Sequence, residues 1–444
     1  MDLEEYAKRA LKRGQKREDI ENTLADRIQE IRQSSRESAL RLSKAVVDEA
    51  NFTVRDEKKS GVTLGKFGVG SRGSGDFYIH EKIADIIGNT SAVIGSDQLD
   101  DSGVVKAYDK YIVITVDGMH SRLSDYPFLA GFHVTRASLR DIFVMGAAPL
   151  ALFSDIHLAD DGDVSKIFDY TAGISAVSEV TNVPLVTGST LRIGGDMVLG
   201  ERLTGCVGAV GIVEQEGLTP RINARVGDRI LMSEGSGGGT IVATALYNGK
   251  HEIVTETLNV KFLKACDILI KTGLVKKVHA MTDVTNGGIR GDAEEISKTA
   301  GVKLVFEENK IRPLVNPKVL KMLDDLHIDY LGVSIDALLI IVSPSVAHEV
   351  KQALHGVIKV DEIGWVEKGQ GAELIVNGRR SEIMPKFRES AYTPVKMVIG
   401  DYVAVNEIET MRTQIDIAVQ NSITKKKKMV DYLTNYGSVP ESLF

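Results

Sequence analysis

Cysteine is almost absent from this chain. Cys206 and Cys266 are its only two, and neither lies in a CxxC or Cys/His spacing, which argues against a disulfide framework and a zinc site. Both read as small buried apolar side chains. Tryptophan occurs once, at Trp365, where it reads as core. Long apolar runs are missing as well. No stretch approaches the ~18 residues of a membrane span, and the opening MDLEEYAKRAL is acidic where a secretory leader is basic. The expectation is a cytoplasmic protein with no membrane partner. Basic charge is in deficit, with 54 Lys and Arg against 61 Asp and Glu, a formal −7. A chain that binds nucleic acid needs cations to neutralise phosphates, so no nucleic-acid partner is expected and a small-molecule substrate is.

Familiar enzyme signatures are lacking too. Gly68-Val-Gly70-Ser-Arg-Gly73 matches G-x-G-x-x-G in form, but the preceding NFTVRDEKKSGVTLGKF is too polar for the buried parallel strand of a dinucleotide fold. A G-x-x-x-x-G-K-[ST] loop would need Gly at Ser60 and Ser or Thr at Phe67. No Ser-His-Asp signature is evident.

What is present is an ordinary globular composition, 43% hydrophobic and 26% charged over 444 residues, enough for two or three domains. Ile20, Leu24, Ile28 and Ile31 recur at helical spacing and Gly14 breaks the pattern, so residues 1–56 read as a helical extension. Few aromatics suggest that it cannot form a core alone. Residues 57–213 alternate short β-rich runs with helices, including a strand at 111–116, helices at 128–145 and 164–180, and a strand at 184–186. Residues 214–396 repeat that rhythm, with a strand at 229–233, a helix at 258–272, a strand at 279–281 and a helix at 288–299. Residues 397–444 return to a charged helical tail whose lysines 425–428 read as a solvated face. The fold class expected is α/β (α+β) in two domains with helical extensions at both ends.

Two constellations could carry chemistry. The first is a mobile loop with Gly65, Gly68, Gly70, Gly73 and Gly75 beside Lys66 and Arg72. Glycines let backbone N–H groups approach phosphate oxygens while the cations supply charge, so the loop reads as a flap over an anionic ligand. The second is a set of aspartates at element ends. Asp101 precedes a strand pair, Asp117 follows the apolar strand, and Asp141 lies near a face of a helix that should be apolar. Asp283 ends a strand just before Asn286, Gly287 and a helix N-terminus suited to phosphate. Carboxylates from separate segments could bind Mg²⁺, which takes oxygen ligands and bridges polyphosphates.

In order and spacing, DDSGVV at 100–105, VITVDGM at 113–119, SLRDIFVMGAAPL at 138–150, TGST at 187–190, VGDRIL at 226–231 and MTDVTNGGI at 281–289 form a pattern. It resembles the aminoimidazole ribonucleotide synthetase (PurM-like) superfamily, which includes selenophosphate synthetase, thiamine-monophosphate kinase and the hydrogenase maturation protein of the same fold. The resemblance implies an N-terminal ATP- and Mg²⁺-binding domain whose strands form a barrel with those of a second copy in a homodimer, and a C-terminal α/β domain beside it. It implies Asp101, Asp117, Asp141 and Asp283 as metal ligands. Gly68, Gly70, Gly73, Gly188, Thr190, Asn286 and Gly287 would contact the cofactor, with Lys66, Arg72 and His120 as catalytic residues.

The departures are specific. The glycine loop has no Cys, the chain ends PESLF, Ala137 stands where Asn is usual, and Arg140 stands where a small polar residue is common. Turn 187–190 reads Thr-Gly-Ser-Thr, and the terminal extensions have no counterpart and could serve a protein partner. The activity implied is ATP- and Mg²⁺-dependent phosphoryl transfer to an unidentified small-molecule acceptor. Alternatives are a small-molecule kinase of the thiamine-monophosphate kinase type and a nucleotide-binding regulatory or scaffold protein.

Overall fold

Alternating and continuous apolar runs become two sheets in the computed structural model, which describes residues 1–54, 59–71, 73–285, 287–389, 392–400 and 402–435. The first sheet comprises β1 (Gly103–Ala107), β2 (Lys110–Gly118), β3 (Ala148–Leu158), β4 (Leu185–Arg192) and β5 (Leu203–Val213), in the order β1-β2-β5-β3-β4. The second comprises β6 (Arg229–Ser233), β7 (Val278–Asp283), β8 (Val302–Glu307), β9 (Leu338–Val342), β10 (Val360–Lys368), β11 (Ala372–Val376) and β12 (Arg379–Glu382). Its order is β12-β11-β8-β10-β6-β9-β7. This is a mixed α/β architecture with helical segments at both ends, as the sequence suggests. Contacts divide the chain into two units, one of residues 1–58, 116–135 and 152–208, the other of residues 59–115, 136–151 and 209–444.

In the first unit, helices Leu3–Lys12, Arg17–Arg32 and Arg36–Thr53 pack through Leu3, Ala7, Ala10, Ile20, Leu24 and Ile28, among others, with Leu199 added from a later segment. Small alanines let these helices approach closely, so an extension poor in aromatics still buries a core. Ile31, expected inside, is exposed. The side chains of Asp2 and Ser35 cap the first and third helices. Arg32 Nε donates to Asp161 at 2.6 Å. Parallel strands require a crossover, and helix Ser165–Thr181 supplies it between β3 and β4. That helix crosses the start of helix Pro127–Val144 where Gly131 and Gly173 face it. A Cβ on either would overlap the other helix's backbone.

In the second unit, the run LLIIV of β9 is buried at every position between β6 and β7, as a strand covered on both faces must be. Helix Gly288–Ala300 contributes Ile289, Ala293 and Ile296 to the same core as Ile230, Phe306, Leu339 and Ile341. The helix expected at 258–272 spans Lys261–Lys271, after a 3₁₀ segment at His251–Thr257. Helix Val405–Asn435 buries Met411, Ile415 and Val419, one turn apart, against Phe67 and Phe387. Its lysines 425–428 are exposed, and Lys426 Nζ donates to the backbone carbonyls of Ile86 and Ile87, the latter at 3.1 Å, at the end of helix Ser74–Ile87.

Candidate functional site

Strand β7 delivers Asp283 to its last position, 2% exposed as a side chain, and the chain then turns into helix Gly288–Ala300. Gly287 and Gly288 both have left-handed backbones, with φ of +80° and +64°. A Cβ on Gly288 would overlap the Leu331 carbonyl, so the turn and the close approach together demand glycine. The N–H groups of this helix's first turn have no partners within the helix, which suits an anion. Asp283 is engaged: Arg140 Nε donates to Oδ2 at 2.8 Å and the Thr285 hydroxyl to Oδ1 at 3.3 Å. Arg140 also donates through Nη1 to Asp336, which Arg136 faces at 3.5 Å. Burial works against the charge on Arg140, and the carboxylates around it outweigh that and push its pKa up. Arg136 is more weakly compensated, and burial lowers it to about 10.

A second knot lies around Arg221. Its Nη2 donates to Asp101 Oδ1 at 2.6 Å and to the Thr282 hydroxyl at 2.9 Å, while Nη1 donates to the Leu99 carbonyl at 2.6 Å and faces Glu295 at 3.1 Å. Asp100 accepts from the backbone N–H groups of Arg221 and Asp101, and Asp292 stands 3.9 Å from the guanidinium. Burial raises the pKa of Asp100 and Glu295, and raises Asp101 and Asp292 well above the ordinary carboxylate range. One guanidinium does not offset four buried carboxyl groups.

The resemblance implies Mg²⁺. Among the described residues, no three His, Cys, Asp or Glu side chains form a metal cage. Mg²⁺ commonly takes one or two carboxylates and completes its shell with substrate phosphates and water. Asp101 fits that demand, because its Oδ2 is buried and has no hydrogen-bond partner. Asp283 fits it less well, since its charge is already paired with the buried guanidinium of Arg140.

The other residues singled out from the sequence fall as follows. Asp141 lies in the same unit as Asp101 and Asp283 and accepts from the Thr115 hydroxyl at 2.9 Å. Asp117 ends the apolar run of β2 in the other unit, and His120, also there, accepts at Nδ1 from the Arg122 N–H at 3.4 Å. Gly188 and Thr190 were expected in a turn and lie inside β4 instead, because residues 187–190 extend the parallel pairing with β3. Arg72 and Asn286 lie outside the described residues.

Lys66 sits in the short helix Leu64–Phe67, and Gly68 and Gly70 have φ of +79° and +75°. This loop is docked. Ser74 N–H donates to the Lys386 carbonyl at 2.9 Å, Glu389 N–H to the Ser71 carbonyl at 3.0 Å, and Arg388 Nη2 to the Lys66 carbonyl at 2.5 Å. Gly73 passes so close to the Lys386 carbonyl that a Cβ would overlap it. The sequence reasoning missed Arg136, Arg221, Asp292, Glu295 and Asp336. For Asp292 and Glu295 a signal exists, since both share helix Gly288–Ala300 with Ile289, Ala293 and Ile296, and a carboxylate near an apolar stripe needs a partner. For Arg221 and Asp336 the local sequence carries none.

Residues 99–213 match the N-terminal domain of AIR synthase related protein, and residues 225–377 match its C-terminal domain. The chain belongs to this family. An uncharacterised protein of Methanocaldococcus jannaschii is 51% identical over 98% of both chains. The selenide, water dikinase of Citrifermentans bemidjiense is 24% identical over 56% of this chain and 70% of its own. The crystal structure of the hydrogenase maturation protein HypE in complex with ATP superposes with a TM-score of 0.53 at 17% identity, over 70% of this chain and 96% of its own, and so shares the family's PurM-like fold.

Proposed function

We propose that the protein is an ATP- and Mg²⁺-dependent enzyme that transfers a phosphoryl group to a small-molecule acceptor. The observation that carries this reading is the strand-end Asp283 leading through two left-handed glycines into a helix N-terminus, in the same unit as Asp101 with its unpartnered buried oxygen. Family membership supports it, as do the relative named a dikinase and the structural neighbour that holds ATP.

Phosphoryl transfer asks a protein mainly for positioning and charge stabilisation. Bound Mg-ATP would supply the transferable group and the divalent charge. The helix N–H groups and Gly287 would orient phosphate oxygens, and Asp101 would take the metal. Lys66, Gly68, Gly70, Gly73 and Arg72 of the loop would contact the nucleotide and shield it from water. Asn286, Asp141, Asp117, His120, Gly188 and Thr190 remain in the reading on the family resemblance, each open to its own variant.

In the same reading the chain is a cytoplasmic homodimer in which strands of residues 57–213 complete a barrel across a twofold axis, with residues 214–396 as the second domain. Exposed apolar side chains on β2 and β4, Ile114, Val116, Val186 and Leu191, support such a covering partner. The terminal helices would be free to dock a protein partner. The deciding experiment follows ADP and phosphate release from Mg-ATP across a library of metabolites. Acceptor-dependent ADP release that Asp101→Asn abolishes is the expected result. Nucleotide binding without turnover for any acceptor would favour a regulatory role.

A further inference from the structure

Two groups of buried charge in the second unit differ in their balance. Asp283 and Asp336 stand with Arg136 and Arg140, two carboxylates with two guanidiniums. Asp100, Asp101, Asp292 and Glu295 stand around Arg221 alone, and both Asp101 and Asp292 keep a buried oxygen without a hydrogen-bond partner. The first group is balanced in charge, whereas the second has more carboxyl groups than its guanidinium can pair.

Arg140 is built in as a fixed part of the fold. Its side chain is 5% exposed, its guanidinium lies 5.7 Å from the centre of the Phe262 ring, and its two donors reach carboxylates on separate segments. Asp336 holds a left-handed backbone at φ +52°, costly for a residue with a Cβ, and hydrogen-bonds the Ser334 hydroxyl at 2.8 Å. Gly238, which precedes helix Gly239–Tyr247, leaves no room for a Cβ against the Asp336 carboxylate. A divalent metal on Asp283 would stand beside the buried Arg140 guanidinium already paired with that carboxylate at 2.8 Å, and in a buried site such like charges repel strongly. An arginine does not lose its proton to escape that state.

We infer that Arg140 is the resident cation of Asp283 and Asp336, so that Asp283 holds no divalent metal and metal enters this unit on the side of Asp101, with the nucleotide phosphates. The inference rests on the ATP reading for its second half only. Arg140 is thus a positioning residue that holds the strand-end carboxylate and the glycine-rich turn at Gly238 in register through its two ion pairs.

The test is Mn²⁺ binding to the full chain, counted by electron paramagnetic resonance, first without nucleotide and then with AMPPCP. Without nucleotide, wild type and Asp283→Asn should bind Mn²⁺ equally. Arg140→Ser should gain a site at least about tenfold tighter than any in wild type, the equivalent of about 1.4 kcal/mol, and adding Asp283→Asn should remove the gain. An Arg140 with a purely structural role would lose stability without gaining metal, and that result overturns the inference. If Arg140→Ser does not fold, the comparison of wild type with Asp283→Asn decides: equal binding supports the inference and a loss of Mn²⁺ overturns it. With AMPPCP, wild type should hold Mn²⁺ that Asp101→Asn loses and Asp283→Asn keeps. Absence of any AMPPCP binding, measured by calorimetry, would defeat the ATP reading while leaving the nucleotide-free comparison to decide the role of Arg140.

Discussion

Arg221 is the side chain around which four buried carboxyl groups gather. Replacing it with methionine keeps the volume but strands Asp100, Asp101, Asp292 and Glu295 without a cation, and about 3–5 kcal/mol of stability should be lost. The urea midpoint measures this, and a loss of under 1 kcal/mol would mean that protonation of all four carboxyl groups takes the place of the guanidinium. Asp292 offers the opposite experiment. Burial keeps its carboxyl protonated well above the usual range, so between pH about 4 and the raised value the folded chain binds a proton that the unfolded chain has lost. Its contribution to stability is fully present below pH about 4 and is lost as pH rises through the folded pKa. Asp292→Asn should therefore gain in melting temperature relative to wild type as pH rises from about 5 to 8, and a difference independent of pH would refute the assignment. Arg221 does not announce its role in the sequence. An arginine in the stretch TPRINARVGDR looks like any surface cation until the fold brings a strand end and a helix to it.

Among the elements, the glycine loop depends most on a distant one. Its backbone is tied to residues 386–389, where the Arg388 guanidinium holds the carbonyls of Gly65 and Lys66 and Glu389 forms a buried pair with Arg290 of helix Gly288–Ala300. The loop is thus linked to the helix that starts at the candidate phosphate site. Arg388→Ala should raise the rate of tryptic cleavage at Lys66 several-fold, and a saturating Mg-ATP analogue should slow it again. Cleavage indifferent to both would show that neither strap nor ligand holds the loop. Gly288→Ala forces a Cβ into the left-handed region and against the Leu331 carbonyl, which should cost on the order of 1–3 kcal/mol. Weakened AMPPCP binding in calorimetry would accompany it if the helix start holds phosphate.

For the whole molecule the open question is what covers the apolar side chains on the first sheet. In β2 the run YIVITV divides into buried Tyr111 and Val113 and exposed Ile114 and Val116, an alternation that leaves one face for a partner. A dimer at low micromolar concentration in light scattering is expected, and Val116→Lys should shift it towards monomer while leaving the helical content unchanged. A wild-type monomer that binds Mg-ATP analogue at full affinity would exclude a dimer requirement. No helix among the described residues is long and apolar enough to cross a membrane.

What the sequence by itself determined is what local chemistry encodes. The run LLIIV reads as a strand, the pair Gly287–Gly288 as the turn that opens a helix, and six short motifs in order carry the family resemblance. The strand end at Asp283 and the helix after it were legible because apolar periodicity and glycine chemistry are properties of neighbours in the chain. Only the tertiary structure decided the state of the acids. Arg140 reaches Asp283 across 143 positions and Arg221 reaches Asp101 across 120. A carboxylate's charge, its partner and its availability to a metal depend on burial and on cations brought from far along the chain, and no spacing rule records either.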